Sequence, residues 1–279
     1  MSYYGALGLT EEPFSTSPDP SFFYESSSHK EALLRLEISI KLRRGLNVIL
    51  GDVGTGKTTL ARKLFAAFSD KTKYDVAMIL DPCAHSEMEF LSMVADAYEI
   101  RPASRTELGY KKALESYLFQ RGVDDGRTVI LIIDEAQKLD LGTLELLRML
   151  LNYETNKYKL FQLVLLGQME LLPVISQIKN FWERIALKYV INPLNSYEVR
   201  EMITFRLRQA GYFYSDSLFQ DDAIELICSY TQGCPRRICH LCHDALEMIV
   251  MKGIRSVHRS IIDERIAGDL EVMAAGSAA

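Results

Sequence analysis

The chain has 279 residues, 48% of them hydrophobic and 25% charged, and a net charge of −5. This is room for one α/β domain plus a small appendage, with an ordinary globular composition. The acidic balance gives no general attraction to nucleic acid or anionic lipid, though a local basic patch is compatible with it.

No apolar run reaches the roughly 18 residues of a membrane span. The opening Met1-Ser2-Tyr3-Tyr4-Gly5 has neither the basic nor the apolar region of a signal peptide. A cytoplasmic location is the default expectation. Reduced thiols are then expected at Cys83, Cys228, Cys234, Cys239 and Cys242.

Residues 1–45 read as a lead-in that packs on the α/β core after it. Pro13-Phe14-Ser15-Thr16-Ser17-Pro18-Asp19-Pro20 is rich in turn-formers. Ser28-His29-Lys30-Glu31 begins a helix with an apolar stripe of Ala32, Leu33, Leu36 and Ile40. Over 46–193, apolar runs at 46–50, 76–80, 128–133, 161–166 and 188–191 read as strands. Helical patterns at 57–68, 87–98, 106–121, 143–153 and 173–183 lie between them. The alternation predicts a parallel five-stranded sheet with flanking helices.

From 194 the strand signals stop. Asn195-Ser196-Tyr197-Glu198 has the form of a capping box. Helices are expected near 197–210, 221–231, 235–252 and 259–272, punctuated by Gly211, Gly233 and Gly253. Residues 194–272 therefore read as a small all-helical domain, and 273–279 as a disordered tail.

Gly51-Asp52-Val53-Gly54-Thr55-Gly56-Lys57-Thr58 fits G-x-x-x-x-G-K-[ST] at every fixed position, and Thr59 continues it into a helix. The strand Leu46-Asn47-Val48-Ile49-Leu50 precedes it. Strand, glycine-rich turn and helix N-terminus together make a phosphate cradle, which a plain surface turn would not need. Lys57 is expected to reach the β- and γ-phosphates of ATP, and the Thr58 hydroxyl to ligate Mg²⁺.

Thr128-Val129-Ile130-Leu131-Ile132-Ile133 reads as a central strand buried on both faces, and it ends in Asp134-Glu135. Carboxylates there stand where open α/β sheets bind ligands. Asp134 would hold Mg²⁺ through water, and Glu135 would polarise the water that attacks the γ-phosphate. The alternative is a charged pair capping a strand. The next buried run ends in Gly167-Gln168; Gln168 is either a γ-phosphate contact or an ordinary turn residue.

Arg184 closes the predicted helix 173–183. It is either a finger reaching a neighbouring subunit's γ-phosphate or half of a surface ion pair, for instance with Glu183. Gly233-Cys234-Pro235-Arg236-Arg237 opens the third helix of the bundle, with Pro235 suited to its first turn. Arg236 could fold back onto the phosphates in cis, with Arg237 as the fallback. Cys239, Cys242 and His243 share a helical face. They are either zinc ligands lacking a completing pair or buried thiols of a packed helix.

Together these residues resemble the AAA+ ATPases of the ExeA/GspA (general secretion pathway protein A) family. The resemblance includes Tyr4-Gly5-Ala6-Leu7-Gly8-Leu9, Pro13-Phe14, Ser28 to Leu33, Gly51 to Thr59 and Asp134-Glu135-Ala136-Gln137. It continues through Leu150-Leu151-Asn152-Tyr153-Glu154-Thr155, Val164 to Gln168, Gln177 to Ile185 and Gly233 to Arg236. It implies Walker A at Lys57 and Thr58, Walker B at Asp134 and Glu135, sensors at Gln168 and Arg236, and a finger at Arg184. It also implies a lid over 194–272 and a homo-oligomeric ring or filament with ATP at subunit interfaces.

Two departures stand out: Asp81 ends the second strand where asparagine is expected, and Cys239 also replaces an asparagine. Long members of the family continue into a membrane helix and a periplasmic peptidoglycan-binding domain.

Two function classes follow. The first is a motor assembling an envelope secretion, pilus or export machine at the inner face of the inner membrane. The second is a transposition regulator of the related TniB/TnsC type, oligomerising on duplex DNA and recruiting a transposase. A nucleotide-gated scaffold with slow turnover is a third possibility. Lys41, Arg43 and Arg44, and Lys252, Arg255 and Arg259, are the basic clusters open to phosphate contact, or else solvated faces. The acidic balance and the lead-in favour the envelope motor.

Overall fold

Thr128–Ile133 and Phe161–Gly167 are buried along their whole length, as unbroken apolar runs require of central strands. The computed structural model that shows this describes residues 2–17 and 19–276, with the backbone alone over 271–276. Pro18 of the predicted loop and 277–279 of the predicted tail lie outside the described residues.

The strands are β1 (Leu46–Leu50), β2 (Tyr74–Ile79), β3 (Thr128–Ile133), β4 (Phe161–Gly167) and β5 (Ile185–Val190). The helices are α1 (Tyr3–Ala6), α2 (Ser27–Lys41), α3 (Lys57–Ala67), α4 (Glu87–Ala97), α5 (Glu107–Phe119) and α6 (Leu141–Leu150). They continue as α7 (Leu171–Ser176), α8 (Ser196–Gln209), α9 (Asp221–Thr231), α10 (Pro235–Lys252) and α11 (Arg259–Gly276). The sheet runs β2-β3-β4-β1-β5, and every pairing is parallel.

The chain divides into two compact units. The α/β unit comprises Ser27–Val53 and Lys57–Ile191. Strand alternation sends Val48, Val129, Leu131, Leu163 and Leu165 to one face, against Phe90 and Val94 of α4, Leu114 of α5 and Leu147 of α6. Ile49, Ile130, Ile132, Val164 and Leu166 face the other way, onto Leu36 and Ile40 of α2 and Leu60 and Leu64 of α3. Each such buried side chain contributes about 1.5–3 kcal/mol relative to exposure. Ser86, Thr106 and Asp140 cap α4, α5 and α6 with side-chain oxygens that accept backbone N–H groups.

The predicted helix 173–183 is cut short. α7 ends at Ser176, and a single 3₁₀ turn, Trp182–Arg184, comes later. The Ser176 hydroxyl and the Gln177 amide both donate to the Pro173 carbonyl, at 2.8 and 3.1 Å, and so compete for the oxygen a continuing helix would use. Asn180 then takes a left-handed φ of +62°. β5 correspondingly begins at Ile185, three residues ahead of the predicted 188.

The second unit gathers residues up to Ser26, Gly54–Gly56 and those from Asn192. Val199, Ile203, Ile227, Ile238, Cys242, Leu246 and Ile262 make its core, with Phe14 among them. The capping box at Asn195 and Glu198 is present, and Pro235 sits in the first turn of α10. α11 runs on past the predicted end at 272.

The lead-in expected over 1–45 divides between the two units. α2 lies on the sheet, while the segment up to Ser26 joins the helices. Arg206, 8% exposed, anchors that segment: its guanidinium donates to the carbonyls of Pro13, Ser15 and Phe22 at 3.0–3.1 Å. Three carbonyls converging on one cation cannot be read from local sequence.

Candidate functional site

β1 delivers the chain into the glycine-rich turn, and α3 begins at Lys57. Gly54 and Gly56 hold φ of +80° and +95°, a region that side chains with a Cβ avoid. The turn therefore depends on these two glycines to curl before the helix starts. Lys57 is only 6% exposed, and its Nζ donates to the carbonyls of Gly51 and Asp52 at 2.7 and 2.9 Å. The ammonium is thus folded into the turn, beside the N–H groups of the α3 N-terminus, which favour an anion.

β3 ends at this same edge. Asp134, 2% exposed, accepts the Thr58 hydroxyl on Oδ2 at 2.6 Å and the Glu135 N–H on Oδ1 at 3.0 Å. Burial pushes its carboxyl above the usual carboxylate range, against the opposing pull of those two hydrogen bonds. A hydroxyl and a carboxylate side by side are the hard oxygen donors that suit Mg²⁺.

Glu135 turns left-handed at φ +52° and is half-buried. Its Oε2 accepts the Gln137 Nε2 at 2.6 Å, and the Gln137 Oε1 accepts the Gln168 backbone N–H at 3.0 Å. Gln168 reaches this edge because β4 lies next to β3. The structure thus brings Gly51 to Val53, Lys57, Thr58, Asp134, Glu135 and Gln168 to the carboxyl ends of neighbouring parallel strands.

Arg184 is not among them. Ile185 pairs with Leu46 at the start of β1, whereas the glycine-rich turn leaves the end of β1 at Leu50. Arg184 therefore sits at the amino end of the sheet. Its Nη1 donates to the Asn152 Oδ1 at 2.6 Å and to the Arg148 carbonyl at 3.4 Å, with no ion pair to Glu183 among the described residues. Arg236 is exposed in the first turn of α10, and its backbone N–H donates to the Gly54 carbonyl at 3.3 Å within the helical unit. Arg237 donates to the Tyr230 carbonyl at 2.8 Å.

Cys239 and Cys242 are buried, Cys228 and Cys234 half-buried and Cys83 exposed. Burial pushes the Cys239 and Cys242 thiols upward, Cys242 strongly. His243 points elsewhere, with its Nδ1 2.9 Å from the Tyr3 hydroxyl and 3.1 Å from Glu12. Asp81, at the end of β2, pairs with the Lys138 Nζ at 3.1 Å. Gln137 lies on a 3₁₀ turn after the acidic pair, and no periodicity marks a residue that bends back from such a turn.

A parallel sheet of this order, with a glycine-rich turn after β1 and an acidic pair after β3, one strand removed across β4, is the P-loop AAA+ fold. The AAA domain family model matches residues 40–175. The chain is related to General secretion pathway protein A of Aeromonas hydrophila, with 33% identity over 257 residues. That stretch is 91% of this chain and 46% of the relative, so the chain spans less than half of that protein.

Solved structures share the fold. The Aeropyrum pernix ORC2 protein matches with a TM-score of 0.66 at 19% identity, over 94% of this chain and 72% of that one. The Aeropyrum pernix ORC1 protein in complex with DNA matches with a TM-score of 0.63 at 20% identity, over 96% and 70%. No described helix is long and apolar enough to cross a membrane.

Proposed function

We propose that this chain binds and hydrolyses ATP with Mg²⁺ as a homo-oligomer, and that hydrolysis drives assembly of a bacterial envelope secretion, pilus or export machine. The observation that carries the catalytic reading is the Thr58–Asp134 bond beside Lys57, which gathers a cation, a hydroxyl and a carboxylate where the start of α3 meets the end of β3. Residues Gly51 to Thr59 would cradle the phosphates, with Lys57 exchanging its two loop carbonyls for phosphate oxygens. Thr58 and Asp134 would hold Mg²⁺, which neutralises charge on the β- and γ-phosphate oxygens.

Glu135 orients the attacking water, and Gln168 contacts the γ-phosphate. Arg236 is assigned to sensing nucleotide in cis. Arg184, at the far end of its own sheet, is assigned to a neighbour's nucleotide in trans. Phosphoryl transfer needs this positioning and charge neutralisation more than covalent chemistry.

The envelope role rests on the identity to General secretion pathway protein A, and in this reading the protein works at the cytoplasmic face of the inner membrane. Four of the six residues in the basic clusters already have partners. Arg43 is spent internally, on the Thr128 hydroxyl at 3.0 Å and the Gly126 carbonyl at 2.7 Å. Lys41 pairs with Glu37, Lys252 with Glu264 and Arg259 with Asp263. Each would have to release a partner before meeting a phosphate.

The test is the particle mass of Glu135→Gln with ATP and Mg²⁺, with and without duplex DNA. Oligomers indifferent to DNA support the envelope motor. Oligomers that form only on DNA overturn it in favour of the transposition-type regulator.

A further inference from the structure

After the left-handed turn at Glu135, one 3₁₀ turn, Ala136–Lys138, bends Gln137 back toward the strand ends. Its carboxamide makes two bonds at once: Nε2 donates to the Glu135 carboxylate at 2.6 Å, and Oε1 accepts the Gln168 backbone N–H at 3.0 Å. A carboxylate only accepts and a backbone N–H only donates, so a group bridging them must offer both functions. Glutamine does; methionine offers neither, and glutamate offers only the acceptor.

The approach is close. A Cβ on Gly167 would lie 3.4 Å from both the Gln137 backbone nitrogen and its Oε1. The carboxylate at the end of β2 does not compete, since Asp81 is engaged by Lys138 on the same 3₁₀ turn.

We infer that Gln137 is the positioning residue for Glu135, locking its carboxylate in register with the end of β4 so that Glu135 and Gln168 move as one element. This rests on the assignment of Glu135 as the group that orients water. Displacement of such a group by about 1 Å can cost on the order of a hundredfold in rate. The coupling therefore makes turnover depend on contact at Gln168: whatever shifts the end of β4 shifts the carboxylate with it.

The experiment compares full-length wild type, Glu135→Gln, Gln137→Met, Gln137→Glu and the Glu135→Gln/Gln137→Met double variant, by steady-state and single-turnover phosphate release from Mg·ATP. ADP affinity serves as the control for folding. Gln137→Glu keeps the bond to Gln168, so it reports the loss of the donor to Glu135 even where Gln137→Met disturbs the turn.

Both Gln137 variants should lose tenfold or more in kcat, with KM within about twofold of wild type. The substitution should cost nothing further in the Glu135→Gln background, because a residue acting through Glu135 has nothing left to position. A smaller loss, a loss carried in KM, or an equal loss in both backgrounds overturns the inference. Wild-type turnover no faster than Glu135→Gln instead overturns the role of Glu135, and the inference with it.

Discussion

The Thr58 hydroxyl donates to the Asp134 carboxylate across 2.6 Å, joining the first turn of α3 to the end of β3, 76 positions away. A buried carboxylate is held here by a neutral donor. Its folded-state pKa is raised by burial, so the penalty on the charged form is absent below the unfolded pKa, where both states are protonated. The penalty grows as pH rises through the unfolded value and is complete above the folded one.

Asp134→Asn removes that penalty and keeps a side chain that can both accept from Glu135 and donate to Thr58. At pH 7 the nucleotide-free protein should melt higher, by roughly 2–4 °C for each kcal/mol relieved. The gain should vanish toward pH 3, and the stabilisation conferred by Mg·ATP should be lost. Melting curves against pH check this, and an equal or lower midpoint at pH 7 contradicts it.

Lys57→Ala should weaken ATP binding about a hundredfold or more, since charge-assisted hydrogen bonds contribute about 1.5–3 kcal/mol each. Calorimetry measures this directly. An unchanged affinity would move the phosphate cradle away from Gly51 to Thr59.

Arg184 donates to the Asn152 carboxamide at the amino end of the sheet, remote from its own phosphate turn. Arg184→Ala should leave nucleotide affinity of the monomer unchanged and remove the dependence of ATPase rate on protein concentration. A variant whose rate still rises with concentration like wild type leaves Arg184 a surface residue tied to Asn152.

Arg206 tests the placement of the lead-in. Arg206→Ala leaves three carbonyls without their cation and should cost roughly 3 kcal/mol or more. It should also expose the segment before Ser26 to protease. Limited proteolysis reads this out, and cleavage as slow as in wild type would show that the Phe14 packing alone holds the segment.

The fold was legible where one physical signal dominated. β3 and β4 are unbroken apolar runs and are buried throughout, and the bundle helices begin at a capping box and a first-turn proline. The start of β5 was not legible, because an edge strand with exposed Ala186 and Lys188 carries a weaker pattern. α7 stopped early through side-chain competition for the Pro173 carbonyl, which periodicity ignores. At the site, the positions of the glycine-rich turn after β1 and of Asp134-Glu135 after β3 were legible because each motif is a local run of sequence. The Gln137 bridge and the Arg206 anchor could not, since each depends on backbone groups brought together only by folding.

The most direct measurement is phosphate release from Mg·ATP by wild type and Glu135→Gln at matched nucleotide occupancy. The account predicts turnover in wild type and, in the variant, ATP bound with similar affinity but hydrolysed at least a hundredfold more slowly, on the order of the loss of a residue that orients the nucleophile. Equal turnover in the two proteins would contradict it and place the water-orienting group elsewhere.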